Sequence, residues 1–506
     1  MKTILRIIFS NLFLIFLLIT ITIFLFCRYI YYLREYFIYL FLFFQVLNFI
    51  LIIYILNKKQ DPAYHISWLT LVLLFPGIGL LIYLFLNLPL TTIKTKNKLI
   101  KLRKETIKYL NQNNSITSNL EDNEKSFINY IYNYGNFPIY NDNKSKYFSD
   151  GVSFFEDFLE EIRKAKKTIF LEFYLIEKGV MWDRLLEVLK EKVKEKVEVR
   201  ILYDGMCSIC LLPSYYPKKL NKMGIKCKIY SPIKNIISTY QNHRDHRKIS
   251  IIDGKIAYIG GINIGDNYIH IKNKYGYWKD SAVKIRGESV KTFICTYLEM
   301  LNLNEKDIED FSIYFSKYTI NKKENGYVLP FVDQPFSKER ITKNTYLNII
   351  NNTKDYIHII TPYLVLDTEL LNQFIYASKK GIKIKIILPN IPDKKYVYYL
   401  SRSYYQELIE AGIEIYEYLP GFTHSKIIIS DNSRAVVGST NLDYRSFYLQ
   451  YESNIYFYKN DIISNIEDDF EKTISKCKKI TIKDIKNYSL LKILIGKLMR
   501  LFAPLL

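Results

Sequence analysis

His246 and His424 each open the same pattern. His246-Arg247-Lys248 runs on to Asp253 and His424-Ser425-Lys426 to Asp431, so both read H-x-K-x-x-x-x-D. Gly260-Gly261-Ile262-Asn263 follows the first copy and Gly438-Ser439-Thr440-Asn441 the second. Asn263 and Asn441 each lie 17 residues beyond their histidine (263 − 246 and 441 − 424). Isolated structural residues do not repeat in one register. Neutral imidazole is a nucleophile or base, and imidazolium is an acid. Ammonium groups and amides can hold phosphoryl oxygens as charge builds on them. The set suits displacement at a phosphodiester. His246 and His424 would share the nucleophile and acid/base roles, and Lys248, Lys426, Asn263 and Asn441 would hold the phosphoryl oxygens. An imidazole used in this way wants a carboxylate behind it. Asp280 lies 34 residues after His246 (280 − 246) and Glu452 lies 28 after His424 (452 − 424), one candidate in each half. The bland alternative for both is an ordinary ion pair. His243 and His270 read as polar surface, and His65 and His358 belong to no motif.

The elements that must position these residues can be read around them. Ile249–Ile252 and Ile427–Ile429 are β-branched runs that predict buried strands. Residues two apart on a strand share a face, so His246 faces with Lys248 and His424 with Lys426. Asp253-Gly254 and Asp431-Asn432 read as tight turns into a further apolar strand. Seven residues separate each Asp from its His (253 − 246 and 431 − 424), ~23 Å along a strand. That favours a turn-fixing role for Asp253 and Asp431 over contact with their own histidines. Upstream of the first motif the pattern predicts a helix near 152–166, a strand 168–176, a helix 182–194 and a strand 197–203. Upstream of the second it predicts a helix near 341–352, a strand 356–364, a helix 368–378 and a strand 382–388. Strands alternating with helices argue an α/β fold, here a duplicated domain with pseudo-two-fold symmetry and one site at the interface.

The pattern has a family likeness. The doubled H-x-K-x-x-x-x-D with its trailing Asn resembles the phospholipase D superfamily. Longer strings resemble one branch of it, the bacterial cardiolipin synthases. They include Val199-Arg200-Ile201-Leu202-Tyr203-Asp204-Gly205, Asn242-His243-Arg244-Asp245-His246-Arg247-Lys248, Pro420-Gly421-Phe422-Thr423-His424 and Asn441-Leu442-Asp443-Tyr444-Arg445-Ser446. Thr361-Pro362-Tyr363 and Arg402-Ser403-Tyr404-Tyr405 also match, and could line a lipid site or pack the core. The resemblance covers the chain from about residue 37 on. It implies that one histidine becomes a phosphohistidine while the other is acid and then base. It assigns His246 as nucleophile and His424 as acid/base, and it counts Asp253 and Asp431 in the catalytic motif. It implies that a phosphatidyl group passes from one phosphatidylglycerol to another, giving cardiolipin and glycerol without metal or cofactor. A membrane-bound hydrolase or nuclease with water as acceptor would carry the same motif. A catalytically inactive membrane adaptor would be free to lose a His or Lys, and both copies are intact.

Outside the motifs, composition narrows the setting. Of 506 residues, 71 are Lys or Arg and 50 Asp or Glu, a net charge of +21 that favours an anionic partner. Anionic phospholipid, phosphatidylglycerol above all, is the expected partner, and no nucleic acid is expected. Cys207-Ser208-Ile209-Cys210 is a lone C-x-x-C without a second pair, so reduced thiols are expected rather than a metal site. Three apolar stretches, about 4–26, 37–56 and 66–88, are long enough to span a bilayer, the third interrupted by Pro76-Gly77-Ile78-Gly79. Lys94, Lys96, Lys98, Lys101, Arg103 and Lys104 follow, which by the positive-inside rule places the remainder in the cytoplasm of a multi-pass bacterial membrane protein. The expected organisation is a membrane region to 92, a basic and polar linker 93–135, halves at 136–325 and 326–485, and a basic amphipathic helix 486–506. That helix could lie at a membrane interface or simply pack.

Overall fold

The β-branched runs at the two motifs become central strands of two sheets. The computed structural model describes residues 11–32, 36–87, 90–207, 211–231, 242–316 and 324–505. The first half contributes β1 (Asn143–Phe148), β2 (Thr168–Phe173), β3 (Glu198–Asp204), β4 (Lys226–Tyr230), β5 (Arg244–Asp245), β6 (Lys248–Ile252), β7 (Ile256–Gly260), β8 (Tyr277–Lys279) and β9 (Ala282–Gly287). The second contributes β10 (Tyr327–Asp333), β11 (Tyr356–Ile360), β12 (Leu364–Val365), β13 (Lys383–Pro389), β14 (Glu414–Tyr418), β15 (Gly421–Thr423), β16 (Ile427–Ser430), β17 (Arg434–Gly438), β18 (Leu442–Asp443), β19 (Gln450–Tyr458) and β20 (Cys477–Ile480). One sheet runs β1-β9-β7-β6-β2-β3-β4 and the other β10-β19-β17-β16-β11-β13-β14-β20. The order is the same strand for strand, with β20 added at the second sheet's edge: a duplicated α/β fold.

Both motif strands are wholly buried. Each turns back through left-handed residues, Asp253 (φ 52°) with Gly254 (φ 63°), and Asp431 (φ 50°) with Asn432 (φ 47°). Two consecutive positive φ values match the right-handed twist of the flanking strands, which is why Asp, Asn and Gly stand there. The inner faces of the two sheets share one apolar cluster, with Ile249 and Ile251 of β6 beside Ile427 and Ile429 of β16. Helices Gly151–Arg163 and Val180–Lys194 cover the outer face of the first sheet, and Ile341–Asn352 and Thr368–Lys379 that of the second.

The amino-terminal region departs from three simple spans. Among the described residues one helix, Ile38–Asn57, is long and apolar enough to cross a membrane. The first expected span begins outside the described residues, which enter it within the helix Asn11–Tyr32. The third is not one helix. Pro62–Leu74 and Ile78–Asn87 are separate and form a hairpin. Pro76 has no N–H to continue the ladder, and Gly77 takes φ +79°. At Gly79 an added Cβ would lie 2.6 Å from Val72 Cα, so the two helices approach closely.

The stretch expected as a polar linker is folded. The helix Asp122–Tyr130 buries Phe127 and Ile128 against the second half, and buried Glu124 pairs with Arg434 Nε at 3.1 Å. The apolar residues that do this are spaced thinly among Asn, Ser and Glu, which hid the pattern in the sequence.

Candidate active site

The two histidines meet through short strand pairings between the halves. β5 pairs in parallel with the start of β19, placing Asp245 opposite Tyr451. β8 pairs in parallel with β15, placing Lys279 opposite Thr423. The next residue on each strand is then a histidine beside a carboxylate. His246 Nδ1 lies 3.0 and 3.1 Å from the oxygens of Glu452, and His424 Nδ1 lies 2.6 Å from Asp280 Oδ2. The backbone repeats the arrangement, for His246 N donates to Tyr451 O at 3.0 Å and His424 N to Lys279 O at 2.6 Å. The sequence offsets paired each carboxylate with the histidine of its own half; the structure crosses them, because the ladders join one half to the other. A buried ion pair, Lys279 with Asp469 at 2.8 Å, ties β8 to the second half.

With Nδ1 held by a carboxylate, Nε2 is the ring nitrogen left for chemistry. His246 is 7% and His424 8% exposed. Tyr174 packs edge-on to His246 at 4.9 Å, and Trp278 lies 5.5 Å from His424. Lys248 and Lys426 donate to the backbone carbonyls of His246 and His424. Burial pushes the Asp280 and Glu452 carboxyls up to about 7 and about 8. It pushes the Lys248 and Lys426 ammonium groups down to about 7 and about 8. Burial, and after it the charge of both lysines, holds both imidazoles well below their ordinary value. The protons of these groups are therefore shared among coupled neighbours near neutrality.

The other predicted residues divide. Asp253 and Asp431 sit at the far ends of β6 and β16 from the histidines. Asp253 accepts from the backbone N–H groups of Lys166, Lys167 and Thr168 at 2.7–3.0 Å. Asp431 accepts from those of Lys354, Asp355 and Tyr356 at 2.7–3.0 Å. Both are staples between neighbouring strands, and the place the motif gives them in the chemistry has no counterpart in their contacts. The Asn263 amide is engaged by Leu175 N at 3.0 Å and the Tyr268 hydroxyl at 2.8 Å. Asn441 differs, with its Oδ1 buried and without a partner among the described residues.

Some residues were invisible in the sequence. Ser439 donates to Glu452; its place in the second G-S-T-N string, where the first copy has Gly261, is the signal that could have found it. Arg247 is fully buried between Glu172 at 2.5 Å and Asp245 at 3.0 Å. His243 is not surface: it is half-buried against Leu449 O at 3.2 Å, and burial pulls it down to about 4. Arg402 packs structurally, held by both oxygens of Glu417 at 3.0 and 2.7 Å. Cys207 is buried between the backbones of Tyr174 and Ile176, and Cys210 lies outside the described residues. His358, Glu467 and Glu471 bring possible metal-ligand atoms together, but the His358 ring bonds Glu467 at 2.6 Å and stacks on Phe470 at 4.2 Å.

Comparison with known proteins adds to this geometry. The family described as "Cardiolipin synthase, PLD-like domain" matches twice, at residues 158–286 and 346–474, and the phospholipase D–nuclease N-terminal family matches 46–86. An uncharacterized protein of Streptococcus mutans is 40% identical over 459 residues, 90% of this chain and 99% of its own. The cardiolipin synthase of Oceanobacillus iheyensis is 34% identical, covering 87% of this chain and 93% of its own. That of Halalkalibacterium halodurans is 31% identical, covering 90% and 91%. The crystal structure of phosphatidylserine synthase from Haemophilus influenzae shares the fold, with TM-score 0.56, 15% identity and coverage of 76% of this chain and 98% of that one.

Proposed function

The chain belongs to the cardiolipin synthase family of phospholipase D-like enzymes, and from that premise we propose that it transfers a phosphatidyl group between two phosphatidylglycerol molecules. The observation that carries the mechanism is the crossed pairing, two imidazole–carboxylate pairs that each join one half to the other, with no hydrogen bond to either Nε2 among the described residues. His246 Nε2 attacks the phosphorus of the first lipid, the bond to the headgroup glycerol oxygen breaks, and His424, protonated once the phosphodiester anion binds and offsets the burial and lysine charges, supplies the proton to that oxygen. Lys248 and Lys426 balance the phosphoryl charge. Glycerol leaves. The terminal hydroxyl of a second phosphatidylglycerol then attacks the phosphohistidine, its proton passes to His424, the P–N bond breaks, and cardiolipin forms.

Membrane residence supports this reading. Ile38–Asn57 can cross a bilayer, and the net charge of +21 suits anionic lipid at its surface. By the positive-inside rule the basic residues after the hairpin helices favour the cytoplasmic side for the catalytic halves. The test is incubation of the membrane-embedded enzyme with labelled phosphatidylglycerol and no divalent metal. Cardiolipin with free glycerol, lost in His246→Ala and in His424→Ala, is the expected result. Phosphatidic acid as sole product would make water the acceptor and overturn the transferase.

A further inference from the structure

The last helix, Leu490–Phe502, has two unlike faces. Its inner face packs on the helix Lys395–Arg402, so closely that a Cβ at Gly496 would lie 2.4 Å from Tyr399 O. Arg500 fixes it to the same half, bonding Glu407 at 3.0 Å and lying 4.1 Å over the Tyr404 ring. Its outer face is apolar and uncovered. Leu490, Leu494 and Leu498 stand in one row four residues apart, with Leu491 beside them, and they are 53–85% exposed. An ordinary surface helix turns such a row inward; this one turns it out.

The helix is also joined to the amino-terminal hairpin. The Leu501 carbonyl, which the helix end leaves without an intrahelical donor, is 2.6 Å from Ser67 Oγ on the helix Pro62–Leu74. Just beyond it, Leu505 packs against the cluster formed by Leu51, Trp68, Val72 and Tyr83. The helix that exposes these leucines is thus fastened to the hairpin region, where Leu73 and Leu74 are also 62% and 65% exposed. Lys497 lies beside the leucine row and is exposed.

We propose that the helix Leu490–Phe502 lies in the plane of the membrane, with its leucine row in the acyl-chain boundary and Lys497 at anionic headgroups. An apolar face flanked by lysine is what an interfacial helix requires. Through Gly496 and Arg500 the helix would hold the second catalytic half against the bilayer that supplies its substrate. The inference rests on the membrane reading above.

The test uses the full chain in vesicles of phosphatidylglycerol that carry a diazirine in the acyl chain, with photolysis and mapping of the lipid adducts. Adducts are expected on Leu490–Leu498 and on Ile38–Asn57. The substitution L490E/L494E/L498E should abolish the first set and leave the second. Adducts on Ile38–Asn57 alone in the unmodified protein would overturn the inference while the membrane reading stood. Adducts on neither segment would sink both, and adducts at the helix that survive the triple substitution would show that the leucine row is not what enters the lipid.

Discussion

The two halves solve one problem with different residues. At the third position before the motif Asn, the first half has Gly260 and the second Gly438; at the next stand Gly261 and Ser439. A Cβ at Gly261 would lie 2.2 Å from Asp280 Oδ1, so the short carboxylate needs that position empty. Glu452 reaches its histidine on a longer side chain, and Ser439 steadies it with a hydroxyl. Behind the first motif Arg247 is buried with Glu172, whereas β11 carries Ile360 where β2 carries Glu172 and Ser425 follows His424 where Arg247 follows His246. The histidine–carboxylate contact recurs in both halves; the packing that supports it differs.

The histidines should show the largest effects and the least difference between halves. His246→Ala and His424→Ala are each expected to cost about 10,000-fold in turnover, and the double variant little more, because the pair acts as a unit. A double loss equal to the product of the two singles would break the shared-site description. Next come the carboxylates. Glu452→Gln and Asp280→Asn are expected to lower kcat by roughly 100- to 10,000-fold through the imidazole each one orients. The crossing predicts that Glu452→Gln perturbs the ring protons of His246, not those of His424, in an NMR titration.

The supporting shells should separate the halves. Arg247→Ser leaves the buried Glu172 and Asp245 carboxylates uncompensated and is expected to cost about 3–5 kcal/mol of stability, measured by thermal or chemical unfolding. Adding Glu172→Ile and Asp245→Thr, which recreates the second half's Ile360, Thr423 and Ser425, should recover most of it. A triple variant as unstable as the single would mean that the two shells are not interchangeable.

Acidity offers a finer test. As pH falls through about 8 and then about 7, Glu452 and then Asp280 gain protons and lose their hold on the imidazoles. As pH rises through about 7 and then about 8, Lys248 and then Lys426 lose the charge that balances the phosphoryl group. The acid and base limbs overlap, so the pH profile of kcat/KM should be a narrow bell with its maximum between about 7 and about 8 and no plateau. A profile flat from pH 6 to 9 would remove the lysines and carboxylates from the mechanism. The smallest effects are expected at the asparagines. Asn263→Ala leaves Leu175 N unpaired and should cost about 1–3 kcal/mol of stability. Asn441→Ala, with no such partner on its Oδ1, should raise KM for phosphatidylglycerol and change stability less.

Much of this was readable from the chain. The isoleucine runs, the Asp-Gly and Asp-Asn turns and the helix Ile341–Asn352 stand where period and turn chemistry place them, since these depend on neighbours a few residues away. Strand length alone argued that Asp253 and Asp431 do not touch their own histidines; their bonds to the neighbouring strand's backbone were not legible. The broken third span was signalled by Pro76-Gly77 but not decided by it, because a Pro can either kink or end a helix. The packed segment 114–131 was missed because its burial comes from a distant partner, Arg434 of β17.

The amino-acid sequence by itself determined that there are two copies of one motif, the strand and turn that carry each, and the chemistry those residue types can do. Only the tertiary structure decided which carboxylate serves which histidine. Offsets of 34 and 28 residues pointed within each half; the two-residue β5–β19 and three-residue β8–β15 ladders reverse that choice. Such ladders are too short to declare themselves by hydrophobic period, and their pairing depends on how two sheets pack face to face, which no local stretch of the chain encodes.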